Sequence, residues 1–242
     1  MKPVWKSKVS LIVPVYNEAN RLQSSIIKVK KALQNLGVCF EIIITEDGST
    51  DGSGKIAEEL EHKDPVIKHL HSDRRLGRGE ALKRAFKVST GDVFIYTDID
   101  LSTDLRHLED LLEAIEKGAD IAVGSRLIKG AHVKRPFPRN IASRLYNNLV
   151  RLLLRSPLHD HQCGFKAFKR SSVIDIISEV EDKYWFWDTE VIIRAVKQGY
   201  SVVEVPVTWT YSRTSKVRLL KDMRYMGINL LKLWWQLGEL GT

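Results

Sequence analysis

Phe94-Ile95-Tyr96-Thr97-Asp98-Ile99-Asp100-Leu101-Ser102-Thr103 runs from apolar residues straight into two carboxylates one residue apart. Its first half reads as a strand buried on both faces, the kind found in parallel sheets covered by helices. Its second half needs a partner, because two like charges this close repel unless a cation or a strong donor lies between them. Oxygen ligands of this type suit Mg2+ or Mn2+, usually with substrate phosphates completing the shell. An isolated Asp-x-Asp is common by chance, and Asp100, Ser102 and Asp104 compete to cap the helix that follows. The surroundings therefore decide.

Outward from this stretch, Val9 to Tyr16 (VSLIVPVY) and Phe40 to Thr45 (FEIIIT) are further short, β-branched, almost wholly apolar runs. Between them Asn20 to Leu36 is helical in pattern and stops at Gly37. A helix after GSTDGS, a strand near Val66 to Leu70, a helix from Gly79 to Val88 and the strand Val93 to Thr97 continue the alternation. Then come a helix from Thr103 to Lys117 and a strand from Asp120 to Gly124. This order predicts an α/β fold, a Rossmann-like, mostly parallel sheet flanked by helices and wound with right-handed crossovers. Ligands bind such sheets beyond the carboxyl ends of the strands, where Asp47 and Asp98 fall. After about residue 125 the pattern loosens into basic loops, an amphipathic helix, the short strand GFKAF, another helix and the strand VVEVPVTW. The expected organisation is one catalytic domain over 1–217, with a donor half to about 125 and an acceptor half from about 126, followed by an amphipathic helix over 218–242.

A net charge of +8 favours anionic partners, whether nucleotides, nucleic acid or acidic headgroups. Nucleic-acid binding calls for basic groups interleaved with exposed aromatics along a track, whereas here they gather beside the cleft and on the terminal helix, so nucleic acid is not an expected partner. No stretch approaches the roughly 20 apolar residues of a spanning helix, and MKPVWKSKVS lacks the apolar region of a signal peptide. The expectation is a cytoplasmic protein, peripheral on the cytoplasmic membrane face. Cys39 and Cys163 have no metal-ligand spacing, so neither a disulfide framework nor a zinc site is indicated by the cysteines.

Three β-to-helix turns carry the remaining chemistry. PVYNEANRL (Pro14 to Leu22) and EDGSTDGS (Glu46 to Ser53) set acids and small residues where backbone amides favour an anionic ligand. Arg74-Arg75-Leu76-Gly77-Arg78-Gly79 is a glycine-rich turn with three arginines, as a diphosphate site requires. Taken with LGRGEALKRA, TDIDLST, GSR, HQCGFKAF, FWDTE and EVPVTW followed by SKV, these motifs stand in the order seen in family 2 glycosyltransferases of the GT-A fold. The likeness spans roughly Val9 to Val217. Within that family the chain resembles the polyprenyl-phosphate sugar synthases, dolichyl-phosphate mannose synthase and dolichyl-phosphate glucosyltransferase. Ser102 stands where the mannosyl branch usually has glutamine, which favours the glucosyl branch.

The resemblance implies a fold, an activity and a set of roles. The activity is metal-dependent, inverting transfer of a hexose from a nucleotide diphosphate sugar, UDP-glucose or GDP-mannose, to a polyprenyl or dolichyl phosphate. Pro14, Tyr16, Glu18 and Asp47 would bind the nucleotide, with Glu46 replacing the usual first aspartate of the second motif. Asp98 and Asp100 would hold Mg2+ or Mn2+ and the diphosphate, with Ser102 as a further ligand. Arg126, Arg139 and Ser143 would hold the lipid phosphate. Asp188 would position the donor or acceptor, or, if the acceptor were a sugar or protein hydroxyl, act as general base. A non-catalytic nucleotide-binding domain on the same sheet is the more distant alternative.

Spacing adds to this independently. Arg139, Ser143 and Asn147 recur every four residues and share a helix face, opposite Ile141, Leu145, Leu149 and Leu152, so the helix is expected to bury its apolar stripe and present its polar one. His159-Asp160-His161 has neighbouring side chains that point apart on a loop, which favours a structural role, Asp160 being retained as a candidate. Near the C-terminus Leu219, Met223, Met226, Leu230, Leu233 and Leu237 fall at helical spacing, with Arg218, Lys221, Arg224 and Lys232 among the polar positions and Trp234 and Trp235 near the end. That pattern fits a helix lying in a membrane interface, or equally one packed on the domain.

Overall fold

The computed structural model describes residues 5–212 and 219–239, the side chains of 219–221 and 239 excepted. The segment holding Ser215, Lys216, Val217 and Arg218, and the Lys221 side chain, thus lie outside the described residues.

The first two strands, β1 (Val9–Val15) and β2 (Phe40–Glu46), pair in parallel around α1 (Ala19–Leu36). Leu22, Ile26, Val29 and Leu33 of α1 recur every three or four residues and are all buried. The helix ends where Gly37 takes φ 73, a left-handed cap that suits a residue without a Cβ. After α2 (Ser53–Lys63), β3 (Ile67–Leu70) adds outside β2. After α3 (Arg78–Val88), β4 (Val93–Thr97) adds on the other side of β1. The chain therefore leaves β1 in opposite directions, and the crevice beyond the carboxyl ends of β1 and β4 is the switch point at which such sheets bind ligands.

The helix expected from Thr103 begins later. Asp104 caps a 3-10 turn (Leu105–His107) by accepting from Arg106 N at 3.0 Å, and α4 spans Leu108–Glu116. Asp100 is thus not the helix cap. Next come β5 (Ile121–Ser125), the short β6 (His132–Lys134), α5 (Phe137–Leu154), β7 (Phe165–Lys169), α6 (Arg170–Glu179) and α7 (Trp187–Lys197). The final strand divides into β8 (Val202–Pro206) and β9 (Thr208–Thr210), where the sequence pattern suggested one strand. Pro206 has no N–H for a ladder, and the chain leaves the main sheet there to pair with β6. The last described element is α8 (Leu219–Glu239).

The main sheet has the order β3-β2-β1-β4-β7-β5-β8, with β7 inserted antiparallel between β4 and β5. Alternate residues of each strand enter different cores: Leu11, Val13, Ile42, Ile44 and Ile95 face one, Ile12, Ile43, Phe94 and Tyr96 the other. Both faces are covered, which is why these strands are apolar almost throughout. A third, smaller core joins α8 to α5 and α7 through Val150, Leu154, Phe186, Ile193, Met226, Leu230 and Leu233.

Candidate active site

The carboxyl ends of β1, β2 and β4 border a cavity of about 470 Å³, closed on the other side by α5, β9 and α8. Pro14, Tyr16, Glu18, Asp47, Asp98, Asp100, Ser102, Arg126, Arg139, Ser143 and Asp188 all line it. The residues expected from sequence are thus brought together from between Pro14 and Asp188, but their hydrogen-bonding commitments differ.

Asp98 closes β4, and its Oδ1 accepts from Arg78 Nη2 at 2.8 Å. Removal from bulk solvent raises its carboxyl pKa; Arg78 opposes this and the Asp100 charge adds to it. Close by, Asp100 Oδ1 accepts from Ser102 N at 3.0 Å, across a turn in which Leu101 holds φ 48, a costly conformation for a residue with a Cβ. Ser102 Oγ is buried with no hydrogen-bond partner among the described residues. A Cβ at residue 164 would lie 1.9 Å from Asp98 Oδ2, so only glycine leaves room for the carboxylate here. Two carboxylates and an orphaned hydroxyl form a hard oxygen donor set, which fits Mg2+ or Mn2+.

At the β1 and β2 ends, Arg75 lies over the Tyr16 ring, 4.0 Å from its centroid, and Glu18 pairs with Arg21 at 2.9 Å. Both oxygens of Asp47 accept backbone N–H groups, from Leu76 at 2.7 Å and Gly77 at 2.9 Å, so Asp47 holds the arginine-glycine turn against the cavity. Gly77 itself takes φ 111, and a Cβ there would meet Lys183 O at 2.2 Å.

Asp188, in the first turn of α7, is fully engaged. It accepts from Arg78 Nη1 at 2.6 Å, from Lys166 Nζ at 2.8 Å and from the Tyr96 hydroxyl. Burial alone raises its pKa, but Arg78 and Lys166 outweigh that and hold it below the usual carboxylate value. Lys166 is wholly buried; it also donates to Tyr96 Oη and to Cys163 O, and in the β4–β7 ladder it stands directly opposite Tyr96. Arg78 bridges Asp98 and Asp188 and so couples this network to the cavity. The neighbouring Glu190 accepts from Glu181 N, Asp182 N and Arg194 Nε, which secures a loop and leaves no opening to the cavity chemistry.

The wall formed by α5 reverses one expectation. Ser143 and Asn147 are buried, while Leu145 is 61% and Leu152 77% exposed, with Ile141 and Leu149 also exposed. The polar face turns inward because it borders the cavity and a buried polar network; the apolar stripe faces out. Asn147 is absent from the cavity lining and instead accepts from His161 N at 2.9 Å. Ser143 Oγ is buried without a hydrogen-bond partner among the described residues. Arg126 forms a bidentate pair with Asp160, Nε at 2.7 Å and Nη2 at 2.8 Å, so its charge is already compensated. Arg135, not singled out from sequence, also lines the cavity, 5.0 Å over the Trp209 ring. Burial and then the Arg126 charge press its guanidinium down to about 10, the mark of a cation held near like charge. Arg139 stacks over Tyr211 at 5.0 Å.

His159-Asp160-His161 is structural. His159 Nδ1 meets Glu204 Oε2, Asp160 holds Arg126, and His161 lies between Ser156 Oγ and Asn147 Oδ1. Burial lowers the His161 pKa to about 3, so the ring is neutral. Sequence reasoning missed Lys166, Tyr96 and Arg135. The signal for Lys166 was present: a lysine inside the apolar run FKAF of a buried strand requires buried acceptors.

On α8 the stripe Met226, Leu230 and Leu233 is buried against α5 and α7, so the expected apolar face packs on protein. Met223, from the same stripe, is exposed where it borders the cavity, and Ile228, Leu231, Trp234 and Trp235 are exposed as well, Trp235 at 64%. No described helix is long and apolar enough to cross a membrane.

Residues 10–177 match the model of Glycosyl transferase family 2. The chain is 46% identical over 233 residues to Glycosyltransferase AglD of Haloferax volcanii, an alignment covering 95% of this chain and 37% of that protein. It is 32% identical over 247 residues to the polyprenol monophosphomannose synthase of Mycolicibacterium smegmatis, covering 100% of this chain and 89% of that one. Among solved structures, glucosyl-3-phosphoglycerate synthase of Mycobacterium tuberculosis, in complex with Mn2+, UDP and phosphoglyceric acid, superposes with a TM-score of 0.70 at 16% identity, over 94% of this chain and 77% of that one. This likeness establishes the GT-A fold.

Proposed function

This chain belongs to glycosyl transferase family 2, and from that premise we propose that it transfers a hexose from a nucleotide diphosphate sugar to a polyprenyl phosphate, with inversion at the anomeric carbon. The observation that carries the reading is that two walls of one cavity differ in chemistry: Asp98, Asp100 and Ser102 from the end of β4 and the turn after it, and Arg135, Arg139 and Ser143 from α5 and the residues just before it. One wall suits a cation and a diphosphate, the other a second phosphate.

An acceptor phosphate oxygen attacks the anomeric carbon as the bond from that carbon to the diphosphate oxygen breaks, and the leaving diphosphate takes the electron pair. Pro14, Tyr16, Glu18 and Asp47 border the place for the nucleotide, while Asp98, Asp100 and Ser102 would hold the Mg2+ or Mn2+. When bound, that ion supplies neutralisation of the charge gathering on the diphosphate. Arg135, Arg139 and Ser143 fix the acceptor phosphate, and the rate comes from this positioning. A phosphate is already anionic near pH 7, with a second pKa of about 6, so no proton need be removed. Asp188 suits this: three donors hold it ionised and below the range a general base requires, which argues against a hydroxyl acceptor. Its role is to fix Arg78 beside Asp98.

Arg135→Ala and Ser143→Ala are each expected to raise KM for the lipid phosphate. A charge-assisted contact is worth about 1.5–3 kcal/mol, or roughly 10–150-fold. Nucleotide affinity should stay within about twofold, since neither residue borders the base end. Radiolabel transfer from UDP-glucose and GDP-mannose to extracted polyprenyl phosphates, with calorimetry of nucleotide binding, measures both and identifies the sugar. A collapse in nucleotide affinity would move α5 to the donor side.

The acceptor's chain must reach this cavity from a bilayer. Leu145 and Leu149 of α5 and Met223 of α8 line the cavity and are exposed, and the exposed leucines and tryptophans of both helices continue from them. We infer that these faces rest in the membrane interface, where tryptophan and nearby Arg144, Arg151 and Lys232 suit the headgroup level. Leu152→Glu combined with Trp235→Glu is expected to lower co-sedimentation with anionic liposomes at least about tenfold, since each buried apolar side chain contributes roughly 1.5–3 kcal/mol. Unchanged sedimentation would remove this face from the membrane.

A further inference from the structure

A second cluster of ligand-type side chains lies outside the cavity network, at the far edge of the sheet. Ile44 of β2 stands beside His69 of β3 in the parallel ladder. Side chains alternate along a strand, so His71, two residues after His69, and Glu46, two after Ile44, return to the same face. The result is a carboxylate and two imidazoles at the ends of two adjacent strands. Each offers one ligand atom, and these atoms lie within 4.8 Å of one another.

Three further features mark this as more than a hydrogen-bonded histidine. The Glu46 carboxylate is buried, and its Oε1 accepts from Ser49 N, which fixes its orientation as an outer-shell contact does in metal sites. His69 Nε2 is buried with no hydrogen-bond partner among the described residues. His71 is half exposed, with Nδ1 2.6 Å from Glu46 Oε2 and Nε2 3.2 Å from Asp73 Oδ1, and provides the route by which an ion enters.

We propose that Glu46, His69 and His71 form a binding site for one transition-metal ion of the zinc class, distinct from the Asp98 and Asp100 pair. Two imidazoles and a carboxylate suit Zn2+ and its neighbours in the first transition row, whereas the all-oxygen set in the cavity suits Mg2+ or Mn2+. The ion would clasp β2 to β3 at the start of the loop that leads to Arg78. That loop is the one whose amides Asp47 gathers, one residue after Glu46, so the clasp would brace the nucleotide end of the cavity from behind.

The test uses the full chain, stripped with chelator and titrated with Co2+ followed by visible absorption, then with Zn2+ in competition. One tight equivalent is expected in the parent protein and in the Asp98→Asn/Asp100→Asn variant. Affinity should fall at least about 100-fold in His69→Gln/His71→Gln and in His71→Ala. The melting temperature should rise by roughly 5 °C at a hundredfold excess of Zn2+ over Kd in the first two proteins, and not in the histidine variants. Because His71 is half exposed, His71→Ala decides the matter if the double histidine variant fails to fold. Tight binding that survives the histidine changes, or that is lost in Asp98→Asn/Asp100→Asn, would overturn the assignment. Neither readout depends on which sugar or acceptor the enzyme uses.

Discussion

Asp98→Asn or Asp100→Asn should lower hexose transfer by about 10²–10³-fold while the protein remains folded, the size of effect seen when one preorganised group that stabilises developing charge is removed. The departing diphosphate concentrates negative charge, and Asp98, Asp100 and Ser102 are the oxygen donors that border the cavity where that charge would appear. The fold should tolerate either change because neither carboxylate supports the core. Asp98 is half-buried at the cavity and shares Arg78 with Asp188, so Arg78 keeps a buried partner when Asp98 loses its charge. Asp100 accepts one local backbone N–H, which asparagine can also do. Initial rates at saturating donor, with the melting temperature as control, separate lost chemistry from lost structure. Excess EDTA should abolish transfer by the unaltered protein. Full activity in EDTA, or variants within about tenfold of the parent, would remove the cation from the scheme.

What was legible in the sequence follows from which physical signals act locally. The central strands β1, β2 and β4 could be read because helices cover both faces, so they are apolar almost throughout; the strand Val93–Thr97 appears with the bounds the pattern predicts. The acid pair at its end could be read because two adjacent carboxylates demand a partner. For α5 the period of four separated two faces, but periodicity cannot say which face is covered. Burial of the apolar face is the usual outcome, and here the polar face borders a cavity and the buried Asn147–His161 contact. Arg126 and Asp160 were each visible as candidates, yet nothing in the sequence joins residues 34 apart into one bidentate pair. The break between β8 and β9 was signalled by Pro206, although the alternation of VVEVPVTW runs across it. Least legible was the pairing of Lys166 with Tyr96, 70 residues away, because it depends on β7 running antiparallel between two strands of a parallel set.

Lys166→Met should destabilise the protein by about 3–5 kcal/mol, because removing one member of a buried ion pair leaves the other without compensation. For a chain of this size that is a fall in melting temperature of roughly 10 °C or more. Methionine fills a similar volume, so the loss reports charge and hydrogen bonding and not a cavity. Three acceptors lose a donor at once: Tyr96 Oη, Cys163 O and Asp188 Oδ1, the last of which keeps the Tyr96 hydroxyl. Asp188 keeps Arg78, which limits the damage and predicts strong coupling: Lys166→Met combined with Asp188→Asn should cost clearly less than the two changes added together. The pH dependence has a defined sign. Asp188 binds its proton less readily folded than unfolded, so its contribution is present above the ordinary carboxylate range and is lost as pH falls through its lowered value. Asp188→Asn should therefore flatten the acid side of the stability profile. Urea titrations of the parent, both single variants and the double between pH 3 and pH 7 measure these effects together, on the scale of ordinary carboxylate titration. Strict additivity, or a parent profile no steeper on the acid side than that of Asp188→Asn, would show that the buried network does not hold α7 and Arg78 in place, and the positioning role given to Asp188 would fall with it.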